Sequence, residues 1–378
     1  MRCVVAGSTY DRWPCSDMAG NAMGRQNREL YGLQMLRAIA ALAVVVRHTL
    51  DMSEGSEAGR FGPYWVATSG GAGVDLFFVI SGFIMVYVSF PFGRLPDSPK
   101  DFIIKRATRI FPLYWICSAA IFAVSAVGFL HNKHIDSYTL LNSVLLLPGD
   151  KLVFVAWTLS YEIYFYVIFS ICLALGRMGP TSIAAILLMI VGIAFGGRIQ
   201  DPTFANFVSS PLILEFCFGI VLALLFCAGG KWKVPQALSV IGFAAIIAAS
   251  IFTMQHDAAP DATRVIMWGI PATLIVAAFL NVERPRSKLG RAAVLLGDAS
   301  YALYLTHIFV MVAYGWLIKS TFVGGVSQVP FVLAVICICI IVGVLTHLLL
   351  EKPILDFIRK AIKRQRNRRP VEVGSLPR

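Results

Sequence analysis

Apolar residues in this chain come in unbroken runs rather than in strand-like alternation. Ten runs stand out, at about 33–50, 71–91, 109–129, 154–175, 182–197, 208–228, 236–254, 264–281, 299–318 and 329–350. Each is close to the ~20 residues that cross a ~30 Å hydrocarbon core as a helix. Inside lipid a helix satisfies its own backbone donors and acceptors, so each run predicts one. The expected fold is an all-α membrane protein with about ten transmembrane helices. Residues 1–29 are polar and read as a disordered segment, 30–355 as the membrane domain and 356–378 as a basic tail.

Composition agrees. Of 378 residues, 57% are hydrophobic and 14% charged, against roughly 25% charged in soluble domains. Lys and Arg are unevenly placed. If the first segment is cytoplasmic, the inside segments carry 24 basic residues and the outside loops five: Arg60, Lys133, Lys151, Arg198 and Lys319. The positive-inside rule then puts both termini in the cytoplasm, which an even number of helices allows. The net charge of +12 is mostly this asymmetry. The tail KAIKRQRNRR is expected to meet anionic headgroups rather than nucleic acid. No cleavable leader is expected, and Met18 or Met23 is an alternative start. The eight cysteines show no metal-ligand spacing, and Cys337 and Cys339 fall on different helix faces. No metal site and no permanently bound cofactor is expected.

Ionisable residues inside such runs are costly and point to function. The first run reads LRAIAALAVVVRHTL, with Arg37 and His48 eleven residues apart. On a helix that is about three turns, or roughly 16 Å along one face. His48 falls ~9 Å outward of the centre of its run, and Asp75 in the next run falls at a similar depth. A contact between them is expected, with the carboxylate fixing the imidazole tautomer. Glu162, Glu215 and His307 fall near mid-membrane, and Ser300, Tyr304 and His307 share a helix face. Arg106 and Arg109 open the third run, where arginine forks suit phosphate. They read equally as stop-transfer charges. His347, Glu351 and Lys352 close the last run at the same level, and His131, His134 and His256 read as loop residues. These residues fit an enzyme, a proton-coupled transporter using Glu162, Glu215 and His307, or a scaffold of a polysaccharide assembly complex. No repeated halves of the transporter kind are apparent.

The motifs at these positions narrow the choice. They are Arg37 to His48; GVDLFFVISGFIM from Gly73; Arg106–Arg109 followed by Phe111, Pro112, Tyr114 and Trp115; WTLSYEIYFY around Glu162; GDASYALYLTH ending at His307; and Glu351-Lys352-Pro353. In this order the chain resembles the acyltransferase-3 family of membrane O-acyltransferases, most of all its exopolysaccharide O-acetyltransferases of the succinoglycan type. The resemblance covers residues ~30–355, and the fused hydrolase-like domain of some relatives is not expected here. It implies transfer of an acetyl or other short acyl group from acyl-CoA to a sugar hydroxyl of a polysaccharide or lipid-linked oligosaccharide, at a bacterial inner membrane, with assembly machinery as a further partner. On this reading His48, Asp75 and Glu162 are catalytic. Arg37, Arg106, Arg109, Ser300, Tyr304 and His307 bind substrate, with Tyr304 or Ser300 steadying the oxyanion and His48 acting as base or as the carrier of the acyl group. Which sugar is modified, and on which side of the membrane, is left open.

Overall fold

The computed structural model describes residues 29–53, 62–91, 95–128, 135–228, 232–255, 261–319 and 328–367. The expected polar segment before Glu29 and the tail beyond Asn367 lie outside them. So do Arg60, Arg94, His131, Lys133, His134, Lys231 and His256.

All ten apolar runs fall on helices. In chain order these are α1 (Tyr31–Ser53), α2 (Tyr64–Gly70), α3 (Ala72–Ser89), α4 (Pro99–Ala126), α5 (Ser137–Leu145), α6 (Trp157–Leu173), α7 (Met178–Phe195), α8 (Pro202–Val208), α9 (Leu214–Cys227), α10 (Ala237–Gln255), α11 (Asp261–Arg264), α12 (Ile270–Phe279), α13 (Lys288–Asp298), α14 (Ser300–Lys319), α15 (Gln328–Thr346) and α16 (Lys352–Asn367). Among the described residues, eight helical stretches are long and apolar enough to span a membrane, and α13 with α14 makes a ninth, bent by 76°. The run in α10 is a shorter apolar helix, Ala237–Thr253. The chain is a multi-pass membrane protein. Its surface fits, with Ile171, Val240, Ile341 and Leu349 all more than half exposed, an arrangement unfavourable in water and natural in lipid.

Local chemistry explains the breaks. Ser98 caps α4 by accepting from the Asp101 amide at 3.1 Å, with Pro99 at the first helical position. Asp136, Asp201 and Ser287 cap α5, α8 and α13 in the same way. Two π-helical turns, Val265–Gly269 and His347–Glu351, interrupt otherwise continuous helices. The first directly follows Arg264 and the second holds His347 and Glu351, all described below; functional sites are a frequent place for such bulges.

Packing around α1 decides the geometry of the site. A Cβ on Gly73 of α3 would sit 2.4 Å from the Ala40 carbonyl oxygen, and one on Gly297 of α13 would sit 1.9 Å from that of Gln34. Only glycine lets these backbones meet α1 so closely. A second close approach joins α3 to α9, where a Cβ on Gly82 would sit 2.1 Å from the Phe216 carbonyl oxygen. Gly82→Ala is therefore expected to destabilise the protein by about 1–3 kcal/mol, read as a lower melting temperature in detergent. Gly179, with nothing within 4 Å of its Cβ position, is the control: Gly179→Ala should leave the melting temperature unchanged. Equal behaviour of the two variants would contradict the packing account.

Candidate active site

The ionisable residues sort into two cavities and one buried pair. The first cavity holds about 140 Å³ of water-accessible space. Arg37, Arg106 and Arg109 line it, with Glu162, Ser81, Tyr166, Ser300 and Tyr304, and its remaining walls include Phe77, Phe78, Ile84 and Leu159. Several of its polar groups are unspent. The Arg106 Nε and the Ser300 hydroxyl are buried without hydrogen-bond partners. Arg37 makes only a 3.5 Å contact with Gln34. Arg109 is different, being held 3.0 Å from Glu351, whose other oxygen lies 2.7 Å from His347 Nδ1. The π-helical turn brings His347 and Glu351 to this point. Glu162 accepts hydrogen bonds from Tyr166 and, at 3.3 Å, from Ser81.

The second cavity is lined by His48 with Arg47, Asp51, Met52, Phe154 and residues of α4 and α14. His48 Nδ1 lies 2.9 Å from His307 Nε2, the two rings almost parallel at 3°. His307 Nδ1 lies 3.2 Å from the Leu303 carbonyl oxygen, one turn back on α14. This chain fixes the protons of the neutral pair. A carbonyl only accepts, so His307 Nδ1 carries hydrogen and its Nε2 is a lone pair. His48 Nδ1 must then be the donor, which leaves His48 Nε2 unprotonated. That nitrogen has no hydrogen bond among the described residues. Phe154 stands edge-on to the His48 ring, centroids 5.2 Å apart. The arrangement leaves one ring nitrogen unspent on His48, a residue that is held from behind by His307 and lines the second cavity.

Asp75 is not part of it. The expected His48–Asp75 contact is replaced by a buried ion pair, with Asp75 Oδ2 2.8 Å and Oδ1 3.2 Å from Arg264 of α11. The depth was similar but the azimuth differs. Gly73 faces α1, and two residues further is about 200° around the helix, so Asp75 points away from α1. The orienting partner of His48 is instead His307, which sequence reasoning placed among substrate-binding residues. Arg264 was missed, although an arginine at the edge of an apolar run signals a buried counterion. Glu215 is fully buried and lies against Gly269, beside the Asp75–Arg264 pair. Glu162, Glu215 and His307 thus keep three different sets of partners and form no continuous relay. Among the described residues, no cluster of His, Cys, Asp and Glu could hold a metal ion.

Sequence comparisons agree with the motif order. Residues 30–348 match the family model of an acyltransferase domain. The exopolysaccharide production protein ExoZ of Rhizobium meliloti (strain 1021) is 30% identical over 311 residues, covering 76% of this chain and 90% of that protein. The acyltransferase MdmB of Streptomyces mycarofaciens is 27% identical over 391 residues, covering 92% and 95%. A putative acetyltransferase of Acidianus two-tailed virus is 25% identical over 292 residues, covering 74% and 82%. No solved structure gives a significant match.

The Asp75–Arg264 pair makes a clear prediction. Removing one partner of a buried pair leaves the other uncompensated, so Asp75→Asn should cost about 3–5 kcal/mol of stability. Thermal unfolding in detergent measures this. An unchanged transition with selective loss of activity would return Asp75 to the chemistry.

Proposed function

The chain belongs to the acyltransferase-3 family, and on that footing we propose that it is an integral membrane O-acyltransferase that moves an acetyl group from acetyl-CoA to a sugar hydroxyl. The observation that carries this reading is the His48–His307 hydrogen bond, which leaves one ring nitrogen unspent on a residue that lines a cavity. The acceptor is a polysaccharide or its lipid-linked precursor, in keeping with the name of the relative at 30% identity, an exopolysaccharide production protein.

Acetyl-CoA enters the arginine cavity. By the distribution of Lys and Arg this mouth opens to the cytoplasm of a bacterium, with both termini on that side. Phosphate oxygens meet Arg106, whose Nε has no hydrogen-bond partner among the described residues, and Arg37, whose contact with Gln34 is long at 3.5 Å. Arg109 takes part only by sharing its guanidinium with Glu351. The apolar walls suit the pantetheine arm, and Glu162 with Ser81 offers hydrogen bonds to its amides. The thioester arrives near the end of α1 that carries His48. The acceptor occupies the second cavity, and the acyl group passes from one cavity to the other. His48 Nε2 takes the proton of the attacking hydroxyl as general base. His307 holds the tautomer and bears on the imidazolium that forms. The proton then passes to the departing thiolate of CoA. No metal or resident cofactor is needed for these steps.

Labelled acetyl-CoA and membranes of the host strain test the proposal. His48→Ala should abolish transfer of label to glycan with the protein still in the membrane, and retained transfer would overturn the base assignment. Arg106→Ala should raise the KM for acetyl-CoA at least several-fold with a smaller change in kcat, the signature of lost ground-state binding. An unchanged KM would reduce Arg106 to a topology signal. His307→Gln, whose amide oxygen can accept the same hydrogen bond, should keep more kcat than His307→Leu. Equal losses would contradict the positioning role.

A further inference from the structure

The two cavities share no lining residue, and what separates them is thin. On α14, Tyr304 lines the arginine cavity and Ile308, one turn on, lines the histidine cavity. At the start of α6, Thr158 lines the first and Phe154, one turn back, lines the second. Three polar atoms meet here. The Tyr304 hydroxyl lies 2.8 Å from Thr158 Oγ1 and 2.9 Å from the Val155 carbonyl oxygen, and Thr158 Oγ1 lies 3.1 Å from the same oxygen. Both side chains are buried, each 6% exposed. The carbonyl only accepts and has two lone pairs, so both hydroxyl protons can be spent on it. Neither is free for a ligand in this arrangement. Yet the triangle sits beside the histidine pair: the Tyr304 ring lies 6.0 Å from His307, and Phe154, next to Val155, stands edge-on to His48. The carbonyl belongs to a single 3-10 turn, Phe154–Ala156, ahead of α6.

Resting on the acyltransferase reading above, we propose that Thr158 and Tyr304 are the oxyanion donors of the reaction. The Val155 carbonyl holds them until the thioester enters the septum. A thioester carbonyl oxygen arriving at the triangle takes the place of the Val155 oxygen as acceptor of the two O–H bonds. The step balances without a further reagent. His48 Nε2 removes the proton of the acceptor hydroxyl as its oxygen bonds to the thioester carbon. The C=O electron pair moves onto oxygen, where both hydroxyls donate to it. The pair returns as the C–S bond breaks. The thiolate takes the proton from His48, giving an ester and free CoA. Idle hydroxyls pinned to a backbone carbonyl keep the septum closed when no donor is present, so the arginine cavity does not communicate with the histidine cavity.

The test uses membranes of the host strain lacking the gene, which hold the native acceptor, complemented with each full-length variant. Thiol release from acetyl-CoA and ester formation are followed together. Removing one oxyanion donor lowers kcat by roughly 10²-fold, so Thr158→Val and Tyr304→Phe should each fall by that order. The KM for acetyl-CoA should stay within about two-fold, because on binding one carbonyl acceptor replaces another and the bonds strengthen only as charge builds on the thioester oxygen in the transition state. Thr158→Ser, which keeps the hydroxyl, should recover most of the rate. A wild-type kcat for either Thr158→Val or Tyr304→Phe, or a loss confined to KM, would overturn the assignment. If Thr158→Val does not accumulate in the membrane, Tyr304→Phe decides alone. A wild-type protein that forms no ester from acetyl-CoA overturns the acyltransferase reading itself, whereas an active wild type with fully active variants removes only the oxyanion donors.

Discussion

The rotation of α1 is the constraint on which the rest depends. This helix carries both Arg37 and His48, and it is gripped by backbones that approach where a side chain would not fit. Gly73 meets it at Ala40 and Gly297 meets it at Gln34. Turning α1 by one residue would swing both functional side chains by about 100° and break these contacts. The grip therefore sets which wall each residue enters: Arg37 the cavity with the other arginines, His48 the cavity beside Phe154. The same contacts send Asp75 away from His48 and toward Arg264.

Once α1 is fixed, a backbone carbonyl sets the tautomers of the histidine pair. Leu303 holds one proton of His307, His307 takes the bond from His48, and the other nitrogen of His48 is left basic. No charged group is needed in this relay, which suits a site surrounded by lipid, where an extra carboxylate would be expensive. The carboxylates that are buried do other work. Asp75 ties α3 to α11 through Arg264, and Glu351 ties the end of the α15 segment to α4 through Arg109. Both ties come from elements interrupted or flanked by π-helical turns, where an extra residue redirects a side chain.

Much of this was legible in the sequence. The ten runs announced their helices because lipid forbids any other way of satisfying the backbone. The arginines of α1 and α4, which line one cavity, and the motif ending at His307 were legible as candidates. Azimuth was not legible. Depth along a helix follows from counting residues, but the facing direction depends on which neighbour packs closely, and that is settled by Gly73 rather than by Asp75. The His48–His307 bond was missed for the same reason, since it joins residues 259 positions apart. The break at the start of α14 was hidden too: the GDASY stretch reads as the start of an apolar run, yet α13 and α14 meet there at a 76° bend, and Gly297 lets α13 lie close against α1.

The central claim is that this protein places acetyl groups on a polysaccharide through His48. Proton NMR of the exopolysaccharide from a strain lacking the gene tests it most directly. The account predicts that the O-acetyl methyl signal is lost on deletion, returns with the wild-type gene and stays absent with His48→Ala. An O-acetyl signal unchanged by deletion, or restored by His48→Ala, would contradict it.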